Sequence, residues 1–160
     1  MPSTRLHFFC GKAGAGKSTL AKRLAAEPGH LLLSEDDWLA ALFGPELKSL
    51  ADYGRFAPRL RTALKGHLLA LLDQGLSLVL DFPLNTRASR AWARELAEEA
   101  GLPHQLHYLD QPEVLCLDRV LERNARGEHP FAPTQAQFAA LCSYFEAPDA
   151  AEGFCLVHHP

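Results

Sequence analysis

The spacing GxxxxGKS is formed by Gly11-Lys12-Ala13-Gly14-Ala15-Gly16-Lys17-Ser18, close to the start of the chain. This stretch follows the apolar run Leu6–Cys10 and precedes a segment rich in alanine and leucine. The apolar run is typical of a buried parallel strand, and the later segment is typical of a helix. In that setting the spacing predicts a phosphate-binding loop, and a nucleoside triphosphate is the expected ligand.

Each residue type in the loop has a chemical reason. Glycines let backbone N–H groups turn toward phosphate oxygens, and the following helix directs its positive end at the same anion. Lys17 is predicted to reach the β- and γ-phosphates and to act in catalysis, and Ser18 is predicted to ligate a bridging Mg²⁺ ion. The predicted ATP-binding residues of this segment are Gly11, Ala13, Gly14, Ala15, Gly16, Lys17, Ser18 and Thr19.

Apolar runs alternate with helical patterns along the rest of the chain, which predicts a parallel α/β sheet. The expected strands are Leu6–Cys10, His30–Leu33, Leu76–Leu80, His104–Leu109 and Phe154–Val157. The expected helices are Lys17–Glu27, Asp36–Phe43, Pro58–Asp73, Arg87–Ala100, Pro112–Arg126 and Thr134–Glu146. The length of 160 residues is that of one domain. Within it, residues 119–134 are predicted to form a lid, with an ordinary interhelical loop as the alternative.

Composition excludes several classes of protein. The formal net charge is −3 with 22% charged residues, so the chain lacks the basic field that drives sequence-independent nucleic-acid binding. No apolar stretch approaches the roughly 18 residues of a membrane span, and no secretory pattern precedes Leu6. The expectation is a cytoplasmic protein without membrane contact. The scattered cysteines, which form no CxxC pair, are predicted to be small core residues rather than zinc ligands or disulfides: Cys10, Cys116, Cys142 and Cys155.

The acidic segment Ser34-Glu35-Asp36-Asp37-Trp38 follows an apolar run directly. Ligands of open α/β sheets bind beyond the carboxyl ends of the strands, so this segment is expected beside the phosphate-binding loop. A carboxylate there can accept the proton of an attacking hydroxyl, and Asp36 and Asp37 are predicted to bind the acceptor. Alternatively, Ser34 and Asp37 begin a helix as a capping pair. The two interpretations agree if Asp36 alone faces the substrate.

A second carboxylate, Asp81, ends the apolar run Leu78-Val79-Leu80. Paired with the phosphate-binding loop, it is predicted to lie close to Mg²⁺, because that ion prefers oxygen ligands. Asn85 follows in the next turn and is predicted either to reach the acceptor or to cap the helix that begins near Arg87.

Three arginines are expected on one face of a helix, because Arg119, Arg123 and Arg126 are spaced i, i+4, i+7. Guanidinium groups can follow the negative charge that develops during phosphoryl transfer, so Arg123 and Arg126 are predicted to be catalytic. A solvated face with pairs such as Glu122 with Arg126 is the alternative. A smaller basic cluster is either an acceptor site, with Arg55 as the contact, or scattered surface charge: Arg55, Arg59, Arg61 and Lys65.

Taken together, these motifs resemble the phosphate-loop kinase superfamily, with the closest resemblance to the kinase domain of phage-type polynucleotide kinase. Zeta-toxin-like and small AAA-type kinases are also similar. The resemblance implies a P-loop NTPase three-layer sandwich with a five-stranded parallel sheet in the order 2-3-1-4-5. It also implies Asp36 as general base, Asp81 near Mg²⁺ or the acceptor, Arg123 or Arg126 as lid arginine, and Arg119 stacked on adenine. The matching places are Gly11 to Thr19, Asp36-Asp37-Trp38, Asp81 with Leu84-Asn85 and Ala91-Trp92, and Arg123-Asn124 with Arg126-Gly127.

The chain also departs from the polynucleotide kinases. Glu35 and Leu39 stand where those kinases have basic residues around the paired acids, and Phe82-Pro83 replaces polar residues. The expected function is therefore the Mg²⁺-dependent transfer of the γ-phosphoryl group of ATP to a hydroxyl of a small-molecule or nucleoside-like acceptor. A polynucleotide 5′-hydroxyl kinase and an ATP-dependent switch are the alternatives.

Overall fold

A computed structural model describes residues 3–127 and 129–160. Met1, Pro2 and Glu128, the last of which belongs to the predicted lid, lie outside the described residues. The strands are β1 Leu6–Cys10, β2 His30–Ser34, β3 Ser77–Asp81, β4 His104–Leu109 and β5 Leu156–His159. The helices are α1 Lys17–Ala25, α2 Glu35–Phe43, α3 Leu50–Asp73, α4 Arg87–Ala100, α5 Glu113–Arg126 and α6 Gln135–Tyr144, with 3₁₀ turns at Gly44–Glu46 and Ala150–Glu152.

All described strand pairs are parallel, and the sheet order is β2-β3-β1-β4-β5. This confirms the predicted sheet and its order. The central strand β1 is buried along its whole length, as expected for a strand covered on both faces. Its carboxyl end therefore delivers the phosphate-binding loop to the middle of the sheet edge, where β3 ends on one side and β4 on the other.

The two faces of the sheet carry separate apolar clusters. Phe8 of β1 belongs to the cluster formed with α3 and α4, where Leu68 is fully buried. Phe9 points to the opposite cluster, which includes residues of α1, α5 and α6 such as Phe138. Among residues 3–127 and 129–160, no helix combines the length and apolarity needed to cross a lipid bilayer.

Helix α3 begins at Leu50 and not at Pro58, so the predicted start was wrong. Ser49 and Asp52 form a reciprocal capping box that fixes the true start. Pro58 lies inside the helix, although proline removes one hydrogen bond there and crowds the preceding turn. The apolar stripe of Phe56, Leu60, Leu64, Leu68 and Leu72 keeps the segment helical, because it buries one face against the sheet.

The prediction for the cysteines holds only in part. Cys10 and Cys116 are buried, whereas Cys142 is half-buried and Cys155 is exposed. Cys155 immediately precedes β5, which forms an edge of the sheet. An edge strand is covered less completely than the central strands, so an apolar run there does not guarantee burial.

A row of imidazoles crosses three strands of the sheet. Nδ1 of His7 lies 3.1 Å from Nε2 of His107, and Nδ1 of His107 lies 3.1 Å from Nε2 of His159. The ring of His107 also stacks on Phe9 at a centroid distance of 5.3 Å. Burial lowers the pKa of His7 to about 4 and the pKa of His107 to about 4 as well. The folded protein therefore holds both rings in the neutral form.

We expect the free energy of unfolding to fall as the pH is lowered from about 6.5 to about 4. In this window the unfolded chain binds protons at His7 and His107 that the folded protein rejects, so acid favours unfolding. One pKa unit corresponds to about 1.4 kcal/mol, which makes the expected loss several kcal/mol. Urea titrations at several pH values measure it, and the double variant His7→Phe, His107→Phe should show a shallower pH dependence. An equal slope in both proteins would contradict the assignment to these rings.

Candidate active site

The phosphate-binding loop has the backbone geometry that its sequence predicts. Gly14 and Gly16 adopt φ angles of 81° and 102°, in the left-handed region that favours glycine. A Cβ atom on Gly14 would lie 2.3 Å from the backbone oxygen of Cys116 in α5, so any side chain at that position would displace the helix. The N–H of Gly11 donates to Oδ1 of Asn85 at 2.9 Å, which ties the start of the loop to the turn after β3.

Lys17 begins α1 and turns its amino group back into the loop. Its Nζ atom donates to the backbone oxygen of Gly11 and, at 3.0 Å, to that of Lys12. Burial lowers the pKa of Lys17, while the charge of Asp81 acts in the opposite direction. A phosphate oxygen could replace either carbonyl as acceptor, since the ammonium group is a compact donor with three N–H bonds.

Ser18 and Asp81 meet across the junction of α1 and β3. The Ser18 hydroxyl donates to Oδ2 of Asp81 at 2.7 Å. One hydroxyl and one carboxylate are oxygen donors of the kind that Mg²⁺ prefers, so these two residues fit the ion. Among residues 3–127 and 129–160, no group of three or more His, Cys, Asp and Glu side chains could hold a metal.

Asp36 lies in the first turn of α2 and lines the same cleft as Lys17, Ser18 and Asp81. Its Oδ2 atom is 3.8 Å from Nε2 of His129. Burial raises the pKa of Asp36, and the nearby Asp81 charge acts in the same direction. The charges of His129, Lys17 and Arg123 act in the opposite direction. The structure therefore brings the predicted base and the phosphate-binding loop to one site.

Asp37 is placed differently. Its backbone N–H donates to Oγ of Ser34 at 3.3 Å, so Ser34 caps α2 as the alternative interpretation predicted. The Asp37 side chain is exposed and does not line the cleft. The next side chain along a helix points about 100° away, and this rotation turns Asp37 out of the cleft that Asp36 lines. The structure does not support Asp37 as an acceptor contact.

The three predicted arginines of α5 line the cleft, as does Glu122. Nη1 of Arg119 is 3.4 Å from the backbone oxygen of Gly14. Nε of Arg123 is buried and has no hydrogen-bond partner among the described residues. Arg126 forms the predicted pair with Glu122 at 3.1 Å. The three arginines therefore line the cleft, and Arg126 also forms the ion pair that the alternative interpretation predicted.

The small basic cluster on α3 does not form a groove. Arg55 pairs with Asp52 at 3.8 Å and lies over the ring of Phe56, outside the cleft. Arg59 approaches the same ring, and Lys65 pairs with Glu99 at 2.6 Å. Arg55, predicted to bind the acceptor, is therefore not in the site, because its position on α3 turns it toward solvent.

Asn85 does line the cleft, but its side-chain oxygen already accepts a hydrogen bond from the N–H of Gly11. The helix cap that was the alternative role of Asn85 belongs instead to Thr86, which forms a reciprocal box with Ser89. Thr86 and Ser89 both line the cleft. The signal for this cap was present in the sequence, since threonine is a common first residue of a capping box.

Two contacts between cleft residues were not predicted from the sequence. Glu35 is only 2% exposed and accepts from Nε of Arg61 at 2.7 Å. Removing one partner of such a buried pair costs about 3–5 kcal/mol of stability. Tyr53 of α3 contacts the ring of Phe131 edge-on at a centroid distance of 4.8 Å. Each of these contacts joins residues that are distant along the chain, so no local sequence pattern predicted it.

The complete cleft has a volume of about 890 Å³, within the range of small-molecule sites. One side is formed by the loop, α1 and α5, and the other by α2, α3 and the turn after β3. His129 and Phe131, from the segment between α5 and α6, lie against the second side. The far end of α6 adds an aromatic boundary, with Tyr144 and Phe145.

Comparison with known proteins identifies the family of this chain. The sequence matches the AAA domain family over residues 6–148. It is 32% identical to the adenylyl-sulfate kinase of Myxococcus xanthus over 150 residues, which cover 89% of this chain and 76% of that protein.

Solved structures show the same fold. The crystal structure of a protein from Chloroflexus aurantiacus matches this fold with a TM-score of 0.75 at 21% identity. The match covers 99% of this chain and 85% of that one. The Mycobacterium tuberculosis APS kinase in complex with AMPPNP and APS has a TM-score of 0.63 at 24% identity, covering 99% and 90%. The predicted superfamily is confirmed: the chain belongs to the AAA domain family of P-loop kinases.

Proposed function

We propose that this protein is an ATP-dependent phosphotransferase that moves the γ-phosphoryl group to a hydroxyl of a small-molecule or nucleoside-like acceptor. The observation that carries the proposal is the presence of Asp36 in the same cleft as Lys17, Ser18 and Asp81. A phosphate-binding loop alone serves many ATPases and switches. A carboxylate in the same cleft as the loop would provide the base that an acceptor hydroxyl requires.

The donor side would be held by the loop and α5. Backbone N–H groups of the loop and the amino group of Lys17 would surround the β- and γ-phosphates. Arg123 has a buried Nε–H without a partner among the described residues, and an unsatisfied buried donor is costly. A phosphate oxygen would satisfy it and would gain charge stabilisation as the phosphoryl group moves. Arg126 would approach from the next turn, and Arg119, whose Nη1 atom contacts the backbone oxygen of Gly14, would cover the adenine.

Ser18 and Asp81 would hold the Mg²⁺ ion. When bound, Mg²⁺ neutralises part of the charge on the phosphates. In the structure the Ser18 hydroxyl already faces Asp81 at 2.7 Å. The two side chains thus need little reorientation to present their oxygens together, which is the arrangement expected of a prepared site.

Asp36 would activate the acceptor. The acceptor O–H bond breaks as its proton moves to a carboxylate oxygen of Asp36, the oxygen bonds to the γ-phosphorus, and ADP leaves with the electrons of the broken P–O bond. A raised pKa makes Asp36 a better proton acceptor than an ordinary aspartate, provided that it is ionised at working pH. Within the predicted lid, residues 119–134, the connector that follows α5 would be the part that closes, since His129 and Phe131 lie over this side of the cleft.

The geometry disfavours the polynucleotide kinase alternative. Arg55 and Lys65 pair with acids, Arg59 lies near the ring of Phe56, and Arg61 is buried against Glu35. A single-stranded nucleic acid needs a continuous basic groove for its backbone, and this cluster does not provide one.

A transfer assay with γ-labelled ATP tests the proposal. Hydroxyl-bearing metabolites, nucleosides and oligonucleotides serve as acceptors, and the Asp36→Ala variant serves as the blank. We expect a labelled product with at least one small acceptor, and no such product with the variant. Hydrolysis of ATP without labelled product in every reaction, at equal rates in both proteins, would contradict the proposal and favour a switch.

His129 should tune the pH range of the reaction. Because its charge opposes the rise in the pKa of Asp36 that burial causes, the His129→Gln variant should have an Asp36 with a still higher pKa. A base is active only when ionised, so the acid limb of kcat/KM for the acceptor should move to higher pH in the variant. A pH–rate profile measures this, with His67→Gln as the control on an exposed part of α3. Superimposable acid limbs for His129→Gln and wild type would rule out the coupling.

A further inference from the structure

Positive charge is distributed unevenly around the cleft. The lysines and arginines that line it belong, with one exception, to the loop, α1 or α5: Lys12, Lys17, Lys22, Arg119, Arg123 and Arg126. The exception is Arg61 of α3. Cations therefore surround the position proposed for the triphosphate, and the acceptor side depends on Arg61 alone among the described lysines and arginines.

The charge of Arg61 is already neutralised. Its Nε atom lies 2.7 Å from Oε2 of Glu35, and both side chains are buried. The guanidinium carbon also lies 5.7 Å from the ring centre of Phe82 and 5.5 Å from that of Trp92. An incoming anion would meet the Glu35 carboxylate together with the guanidinium group. Desolvated charges interact strongly, so the pair gives an anion little net attraction.

Apart from that pair, the carboxylate of Asp36 makes this side unfavourable for an anion. Asp36 faces the cleft from α2, and Nε2 of His129 lies 3.8 Å from its Oδ2 atom. The wall that α3 and the turn after β3 contribute to this side is largely apolar and comprises Leu50, Ala51, Tyr53, Gly54, Ala57 and Pro83. Phe131 extends this wall through its edge-on contact with Tyr53. Such a surface matches the carbon face of an uncharged molecule, and the carboxylate of Asp36 can accept from its hydroxyl.

We infer that the acceptor is an uncharged hydroxyl compound with an apolar face, and that this side of the cleft rejects acceptors carrying phosphate, sulfate or carboxylate groups. The inference rests on the proposed function and makes it more specific. It also separates this chain from the Myxococcus xanthus relative, which is named for an anionic acceptor, adenylyl sulfate.

Calorimetry tests the rejection of anions without knowledge of the true acceptor. AMP and adenylyl sulfate are titrated separately into the protein saturated with a non-hydrolysable ATP analogue and Mg²⁺. We expect no saturable binding to the wild-type protein. Ala57→Lys places a cation on the apolar wall and should make AMP binding saturable, with an affinity about tenfold or more above the detection limit, as complementary charge favours the anion. Ala63→Lys, at an exposed position of the same helix outside the cleft, should not. Micromolar binding of either anion to the wild-type protein would overturn the inference.

Transfer assays test the positive half of the inference. Pairs that differ in charge, such as adenosine with AMP and glucose with gluconate, are compared with γ-labelled ATP. At least one uncharged member should be phosphorylated about tenfold faster or more than its anionic partner. Equal or faster transfer to an anionic member would overturn the inference while supporting the proposed kinase. Failure of transfer to every compound, with ATP binding intact, would contradict the proposed function, and the calorimetry would still decide whether anions are rejected.

Discussion

Replacing Asp36 with asparagine should lower the turnover of acceptor phosphorylation by about 10²–10⁴-fold, the usual contribution of a positioned general base. The amide keeps the shape of the side chain but cannot take the proton of the attacking hydroxyl. Affinity for ATP should change little, because Asp36 lies on the acceptor side of the cleft. Steady-state kinetics with the acceptor identified by the screen, together with calorimetric titration of ATP, would separate the two quantities.

The neighbouring residue offers a matched comparison. Asp37 has the same chemistry and is adjacent in sequence, but its side chain is exposed outside the cleft. Turnover of the Asp37→Asn variant should remain within about twofold of wild type, as for most surface substitutions. A large loss in Asp37→Asn with normal turnover in Asp36→Asn would reverse the assignment of the base.

Replacing Lys17 with alanine should weaken both ATP binding and turnover. Hydrogen bonds to charged groups contribute about 1.5–3 kcal/mol, so ATP affinity should fall by roughly 10–100-fold. Turnover should fall further, since the ammonium group also stabilises charge on the migrating phosphoryl group. Fluorescence titration with a labelled ATP analogue and single-turnover transfer assays measure the two effects.

Two controls, the folding of the Lys17→Ala variant and the ATP affinity of an unrelated lysine variant, accompany this measurement. The Lys17→Ala variant should remain folded, because the hydrogen bonds of Lys17 within residues 3–127 and 129–160 go to loop carbonyls. Burial also lowers the pKa of Lys17, so its charge is not favoured by the folded environment. Lys48→Ala removes an exposed lysine outside the cleft and should bind ATP as wild type does. ATP affinity and activity unchanged in Lys17→Ala would exclude the loop as the nucleotide site.

Local patterns predicted the parts of this protein that depend on neighbours in sequence. The loop, the strand before it and the helix after it were evident from the spacing of glycines, Lys17 and Ser18. The sheet order followed from the resemblance to known kinases and was confirmed. Asp36 and Asp81 were found because carboxyl ends of parallel strands meet at one edge.

Features that depend on distant residues could not be predicted in this way. Arg61 was grouped with Arg55 in one basic cluster, interpreted as either an acceptor site or surface charge, although Arg61 is buried against Glu35 and Arg55 is exposed. Helical spacing alone does not reveal which face of α3 meets the sheet at each turn. His129 had no distinguishing pattern, and its approach to Asp36 results from the path of the chain after α5.

The packing of Gly14 against the Cys116 carbonyl also limits how the cleft can admit its ligands. Because Gly14 has no side chain, the loop packs directly against α5. A rigid-body movement of the whole helix would break this contact. Nucleotide and product should therefore enter and leave when the segment that carries His129 and Phe131 is displaced, while α5 stays packed against the loop. The arginines of α5 would then keep a constant distance from the phosphates throughout the reaction. The structural change in each turnover would be confined to the acceptor side of the cleft.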